Sequence, residues 1–550
     1  MSRCLKIALL ILIPVLPIAS FGMERTELLP PEAQAYVRIT NTTNFWTRLK
    51  ASPLGQLWAD QQFQDFLGNP DAETWQELFF ANESTAEDEV FLEQLKMLNG
   101  EVILAFDTEH DDPYLVAAIS EADFQRSLEL DENLADLAHD TFDIVRSTFQ
   151  DVEIIQHIDH PGEPRETSSW QTFVNNTLVL GYSREWIEQC IVTLKKETVK
   201  EPEGNPILNL NIPLAKLIQH SIDSKKSRSQ ESALLTALGL LDIERLTAQL
   251  ELKESEMVAD NVLSISNLER GLFTILDVQP SELPTVTFIP ENISSIEVGR
   301  VNLLRFWREI PNVLLAAQPG MKPQFDMLLA MIQQQAGINI ELDLLANIGT
   351  RYISFAVAEN EGQRSVVAVD LKDGAAFKKG LETAMAAPAM QPYVAAGIDI
   401  QEFLDHTIYV QKNASETVPN GLAISGDYLL YGAPEGLRQV IRSITSDAAA
   451  NQSFERSELV KGLRRHVPPR AFAYSAIDWK TNIDVLMGEL SKPKNRALIQ
   501  QQWARSGAAL PPPDFSKLPP ADHIASFFNT SYQYLEASID GLHQRIILKY

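Results

Sequence analysis

Cysteine is almost missing from this chain: 550 residues hold two, Cys4 and Cys190. That excludes a disulfide scaffold and a paired C-x-x-C metal site, so stability has to come from apolar cores. Positive charge is scarce as well. Lys and Arg number 46 against 74 Asp and Glu, a formal net charge of −28. Nucleic-acid affinity rests on neutralising phosphates, so this balance argues against a nucleic-acid partner. Beyond the first 22 residues no run approaches 18 consecutive apolar residues, and the mature chain is expected to be soluble, without a transmembrane span. The motifs G-x-S-x-G, G-x-G-x-x-G, the P-loop and H-E-x-x-H are all absent.

What is present begins with an apolar leader. Arg3 and Lys6 precede the run Ile7 to Gly22, and Ser20-Phe21-Gly22 sets small residues at −3 and −1 for cleavage before Met23. Pro14 and Pro17 make the run a poor bilayer helix, so residues 1–22 read as a signal peptide, with an uncleaved anchor as the alternative. Cys4 lies before the apolar run, which does not indicate a lipoprotein-type acylation site. Export to the periplasm or beyond follows, and Cys190 is left as the one thiol of the mature chain.

The remaining sequence reads as two copies of one plan. Pro31-Glu32, Tyr36 to Ile39 and Phe45-Trp46 recur as Pro290-Glu291, Ser295 to Val298 and Phe306-Trp307. The stretch Phe91 to Phe106 matches Leu342 to Val357, each with a glycine stop (Gly100, Gly349) before a strand. A strand and a helix opening near Asp123 match a strand and a helix opening near Asp373. VEIIQHIDH (Val152 to His160) is matched to IDIQEFLDH (Ile398 to His406). Hairpins turning at Asn175-Asn176 and at Gly426-Asp427 each lead into a helix, and Leu246 to Ile265 matches the C-terminal hairpin. Six blocks in one order predict an α+β fold: two tandem copies of a mainly antiparallel sheet-plus-helices domain, residues 23–280 and 281–550, joined near Gln279 to Pro290. Their charges differ. Met23 to Pro280 holds 46 acidic and 19 basic residues, Ser281 to Tyr550 holds 28 and 25, and Glu83 to Asp140 alone holds 17 acidic.

Chemistry-bearing residues are few. Asp107, Glu109, Asp111 and Asp112 could gather on Ca²⁺, but EF-hand spacing is absent and a solvated acidic hairpin is favoured. Asp159-His160 and Asp405-His406 stand at matching places of the two copies in this alignment, and His with carboxylate can ligate zinc or shuttle a proton. Adjacent strand residues point to opposite faces, however, so each copy would present one of its pair and not both. Cys190 shares a helical face with Trp186, Ile187, Ile191 and Leu194, and its counterpart is Ile441, which makes it a core residue. Phe45-Trp46 and Phe306-Trp307 read as helix anchors, Arg464-Arg465-His466 as a solvated helix end, and Pro511 to Pro520 as an extended surface loop. The Met- and Leu-rich stretch Met321 to Ile348 could shelter an apolar ligand, although packing in its own core is favoured.

The opening Leu29-Pro30, the strand Tyr36 to Ile39 and Ser52-Pro53-Leu54-Gly55 before Leu57-Trp58 resemble the start of a family of long exported bacterial envelope proteins. That family is described only as a domain of unknown function. The resemblance covers about 45 residues, implies an envelope location, and brings no catalytic residue or cofactor. The second copy lacks Ser-Pro-Leu-Gly. The expectation is therefore a non-enzymatic interaction or binding module of the envelope, its partner an envelope protein. The alternatives are a carrier of a lipid or other apolar ligand and, behind it, a metal-dependent hydrolase. No catalytic, metal or cofactor-binding residue is assigned, and no cofactor is expected.

Overall fold

A computed structural model describes residues 23–550 apart from 32, 34, 69–92, 95–96, 108–111, 138–141, 163–165, 201–205, 224–227, 284–287, 319, 360–361, 413–419, 446–452 and 507–512. The leader lies outside the described residues. The chain is α+β and forms two compact units. The first takes the chain up to His220, with Arg245–Val262 and Lys494–Pro519; the second takes Ser221–Glu244, Leu263–Pro493 and Pro520–Tyr550.

The first unit is built on ten strands among the described residues. They are β1 (Ala35–Ile39), β2 (Val102–Phe106), β3 (Pro113–Ala118), β4 (Phe142–Phe149), β5 (Val152–Asp159), β6 (Thr167–Val174), β7 (Thr177–Gly181), β8 (Leu208–Ile212), β9 (Ile243–Leu252) and β10 (Glu256–Ile265). Their order is β10-β9-β8-β1-β2-β3-β7-β6-β5-β4, with antiparallel registers from β9 through β4. Period-two alternation gives the sheet two apolar faces. Ile103, Val116, Ile154 and Val179 meet the helix Arg184–Lys196, while Ala117, Ile155 and Leu178 meet Phe124 and Leu128 of the helix Glu121–Leu137. Ser183 caps the first of these helices and Ser120 the second, each hydroxyl accepting from a backbone N–H three residues on.

The second unit also has ten described strands. They are β11 (Ile293–Arg300), β12 (Ile348–Glu359), β13 (Gly362–Leu371), β14 (Ile398–Phe403), β15 (His406–Gln411), β16 (Gly421–Ser425), β17 (Tyr428–Gly432), β18 (Ala473–Asp478), β19 (Thr530–Ser538) and β20 (Gly541–Lys549). Their order is β20-β19-β18-β11-β12-β13-β17-β16-β15-β14, antiparallel throughout. Lowering each strand number by ten reproduces the order of the first unit. Leu437, Val440 and Ile441 of the helix Pro434–Thr445 and Leu459, Val460 and Leu463 of the helix Glu458–His466 fill the core on one face. Phe377, from the helix Gly374–Ala386, packs with Ile348 and Leu371 on the other.

Hairpin turns carry the local chemistry expected of them. Gln150-Asp151, Asn175-Asn176 and Leu404-Asp405 each place both central residues at positive φ, the two-residue geometry that suits the twist of flanking strands. The segments on which the units depart from chain order are anchored by apolar contacts. The helix Arg228–Ala237 packs on the helix Leu303–Ala317 in the second unit. In the first, Phe515 meets Phe66 edge-on, ring centroids 5.7 Å apart, and the Asp514 N–H donates to the Phe66 carbonyl at 2.7 Å. Pro513 and Pro519 are buried beside it. The described part of the proline-rich stretch is thus a docked 3-10 turn (Phe515–Lys517), not the extended surface loop expected from its prolines, because Phe515 supplies an anchor.

Candidate functional site

Cys190 lies where its helical spacing puts it, buried with Trp186, Ile187, Ile191 and Leu194. Its Sγ is 3.6 Å from the Leu28 carbonyl, which also accepts from the Trp186 indole N–H at 2.7 Å. Burial pushes the thiol up to about 12, far from the thiolate a nucleophile needs. The buried set Trp186, Ile187, Cys190, Ile191 matches Gly436, Leu437, Val440, Ile441, so the counterpart by burial is Val440 and not Ile441. Either residue is aliphatic. An alkylating reagent in excess should leave Cys190 of the native protein essentially unmodified over hours and react within minutes once denaturant is added; native labelling at the denatured rate would contradict the buried placement.

The two Asp-His pairs do not occupy matching places. Asp159 ends β5 and His160 follows it at φ 54. Asp405 sits in the β14–β15 turn at φ 62, and His406 opens β15. Counted by hairpins, Asp405 corresponds to Asp151, in the β4–β5 turn. The His406 ring Nδ1 lies 2.6 Å from the Leu404 carbonyl, a local turn contact. Among the described residues no three His, Cys, Asp or Glu side chains gather in a metal-binding arrangement. Of the acidic loop, Glu109 and Asp111 lie outside the described residues, while Asp107 is buried and its N–H donates to the Asp112 carbonyl at 3.0 Å.

The remaining sequence candidates are structural in placement. Arg464 pairs with Glu455 at 2.6 Å and the His466 ring stacks on Tyr532, centroids 4.9 Å apart. Phe45 is buried while Trp46 is half exposed, so only the first is a core anchor. The helix Met321–Ala336 divides the Met-rich stretch between two sides. Ile332 and Ala336 pack with Ile338 and Ala387, and Phe325 meets Trp307 at 5.6 Å, whereas Met327 (69% exposed), Leu328 and Met331 face solvent.

Two buried polar clusters were not legible as such. In the first, Arg25 donates to Glu101 at 2.8 Å, Arg38 donates to the other Glu101 oxygen at 2.6 Å, and Arg38 also pairs with Glu24 at 2.6 Å. In the second, the Asp131 carboxylate accepts from Gln94 at 2.7 Å and Gln171 at 3.2 Å, with His157 Nε2 3.9 Å away. Burial holds Asp131 up at about 6 and drives His157 down to about 4, so the pair at neutral pH is a carboxylate beside a neutral imidazole. A carboxylate and an imidazole could pass a proton, but both side chains are buried, at 6% and 8% exposure.

Among the described residues no helix is long and apolar enough to cross a membrane. No family model matches the chain, and no curated protein matches it. Three crystal structures of TP0453 align with part of it. Form I shares 12% identity over 45% of this chain and 80% of that one, with a TM-score of 0.22. Form III shares 10% over 45% and 81%, TM-score 0.22, and form IV 10% over 47% and 86%, TM-score 0.21. Similarity at these TM-scores says nothing of the function of this chain, whose architecture rests on its own strand registers.

Proposed function

We propose that the chain is an exported, non-enzymatic interaction module of the bacterial cell envelope, made of two copies of one α+β domain. The observation that carries this reading is the dispersal of the accessible reactive groups among the described residues: the thiol is walled into a core, the Asp131–His157 pair is buried, and the two Asp-His pairs stand at non-equivalent hairpin positions. A catalytic site needs nucleophile, base and orienting group within hydrogen-bond reach of one another. The leader and the Leu-Pro and Ser-Pro-Leu-Gly resemblance support the envelope location. A shared strand order with net charges of −27 and −3 in the two sequence halves supports copies that kept a scaffold and diverged in surface. For an apolar-ligand carrier the Met-rich helix would have to line an enclosed space, and Met327, Leu328 and Met331 point to solvent.

Replacing His160 and His406 together with alanine tests the strongest competing reading. The double variant is expected to keep the wild-type far-UV spectrum and to lose about 1–2 kcal/mol of stability, since both residues are partly buried and His160 stands at positive φ, and neither protein should carry stoichiometric zinc. One zinc per chain in the wild type, lost in the double variant, would overturn the module in favour of the metal-dependent hydrolase.

A further inference from the structure

One cross-strand row differs between the two units in a way that bears on partners. Three residues in from the hairpin-closing pairs, the first unit aligns Arg146, Ile155, Gln171 and Leu180 across β4-β5-β6-β7. The second unit aligns Ile400, Tyr409, Leu422 and Tyr431 at the same register across β14-β15-β16-β17. In the first unit the row is covered. Ile155 and Gln171 are buried under the helix Glu121–Leu137, where Leu128 joins the Ile155 cluster, Asp131 accepts from Gln171 and Glu132 pairs with Arg146.

Among the described residues the second unit lacks that cover. Counted from their caps, Ser120 and Asp373, the two helices keep Phe124 in step with Phe377 and Leu128 with Leu381. Asp131 and Glu132 then give way to Ala384 and Met385, and the helix stops at Ala386, a turn sooner than its counterpart. Ala384 packs toward Ala336, Ile338 and Ala387 instead of reaching over the sheet. Ile400 is left 52% exposed and Tyr431 46%, with Tyr409 and Leu422 half-buried between them, while Ile408, Ala423 and Leu430 on the opposite face are buried. Glu402, exposed two residues along β14 from Ile400, and Glu382, exposed on the helix and paired with Lys378 at 3.8 Å, both act on the Tyr409 phenol, which partial burial and these carboxylates together push up.

We propose that the row Ile400-Tyr409-Leu422-Tyr431 docks an amphipathic helix of a partner protein, apolar along one face and basic along its flanks. The occupant takes its form from the first unit, whose equivalent row is filled by a helix, and its charge chiefly from exposed Glu402 beside the row, Glu382 being shared with Lys378. Aromatic and branched side chains in an in-register row supply area at low entropic cost, as helix-binding faces require. This deepens the interaction-module reading and rests on it.

The test uses the full mature chain and a labelled peptide of about 18 residues, Leu on one face and Lys on the other, long enough for five helical turns. Anisotropy titration is expected to give saturable binding, about tenfold or more weaker for Ile400→Arg and for Tyr431→Ser, as for anchors at the centre of an interface. Met327→Arg, at an exposed apolar site elsewhere, should bind as wild type does, and a Leu/Glu peptide of the same pattern should bind less tightly than the Leu/Lys one. Circular dichroism checks that each variant is folded. Equal binding by wild type and both row variants would overturn the proposal. So would a dimer seen by sedimentation that Ile400→Arg dissolves, or binding to phosphatidylethanolamine–phosphatidylglycerol vesicles that Ile400→Arg abolishes. Any of these leaves the broader module reading standing, because that is decided by what the protein carries when isolated from the envelope.

Discussion

Glu101→Ala is expected to cost about 3–5 kcal/mol, the range for removing one partner of a buried ion pair. Glu101 is fully buried and Arg25 only 2% exposed, and the carboxylate serves two guanidiniums, one on each oxygen. Alanine would take from buried Arg25 the carboxylate it donates to at 2.8 Å and from Arg38 the oxygen it donates to at 2.6 Å. Arg38 would fare better, since it keeps Glu24. Urea unfolding followed by tryptophan fluorescence should therefore show a large loss for Glu101→Ala. Arg25→Met with Glu101→Met should recover much of it, because neither member of the buried pair is then left without the other. A loss below about 1 kcal/mol for the single variant, the scale of an exposed pair, would mean that water reaches the cluster.

The second large effect is in acid. His157 titrates at about 4 in the folded chain against an ordinary 6.5. Below 6.5 the unfolded chain takes a proton that the folded one refuses, so stability is lost as pH falls from 6.5 towards 4. Asp131 runs the other way. Its folded value of about 6 lies above the ordinary 3.8, so between about 6 and 3.8 the folded chain binds the proton first and gains stability. Each window is worth about 3 kcal/mol at ~1.4 kcal/mol per pH unit, and in the wild type the two largely cancel. His157→Gln removes the loss and keeps the gain. Between pH 7 and 4.5 the variant should therefore gain about 2–3 kcal/mol on the wild type. The comparison is a difference between two proteins, so the many other carboxylates drop out. Parallel pH profiles would mean that His157 takes its proton in the folded state.

Much of the architecture was legible because hairpins announce themselves. Alternating apolar residues around Asn175-Asn176 and Gly426-Asp427 set β6-β7 and β16-β17. The glycine stops fared less well: Gly100 does precede β2, but Gly349 is the second residue of β12, and neither glycine takes the left-handed φ of a helix cap. The match of Val152 to His160 with Ile398 to His406 went one strand astray, laying β5 on β14. The two strands of a hairpin share a period of two and similar residues, so patterning alone cannot say which is which; the turn can, and Gln150-Asp151 carries no glycine to mark it.

The buried polar clusters were illegible for another reason. Glu101, Asp131 and His157 look like any solvated charge in sequence, and their partners lie far along the chain: Glu101 meets Arg25 and Arg38 from 76 and 63 residues away. The exposed row of the second unit was equally hidden, since Ile400 and Tyr431 read as ordinary strand residues. Their exposure is set by where another helix stops, through Ala384 and Met385 in place of Asp131 and Glu132. Local pattern specifies elements, whereas burial depends on contacts it does not encode.

The most direct test of the interaction-module account is native mass spectrometry of the protein isolated from its own cell envelope under non-denaturing conditions. The account expects the mass of a chain beginning at Met23, alone or raised by a second polypeptide, with no bound metal. Stoichiometric lipid would contradict it in favour of a carrier, and stoichiometric zinc in favour of an enzyme.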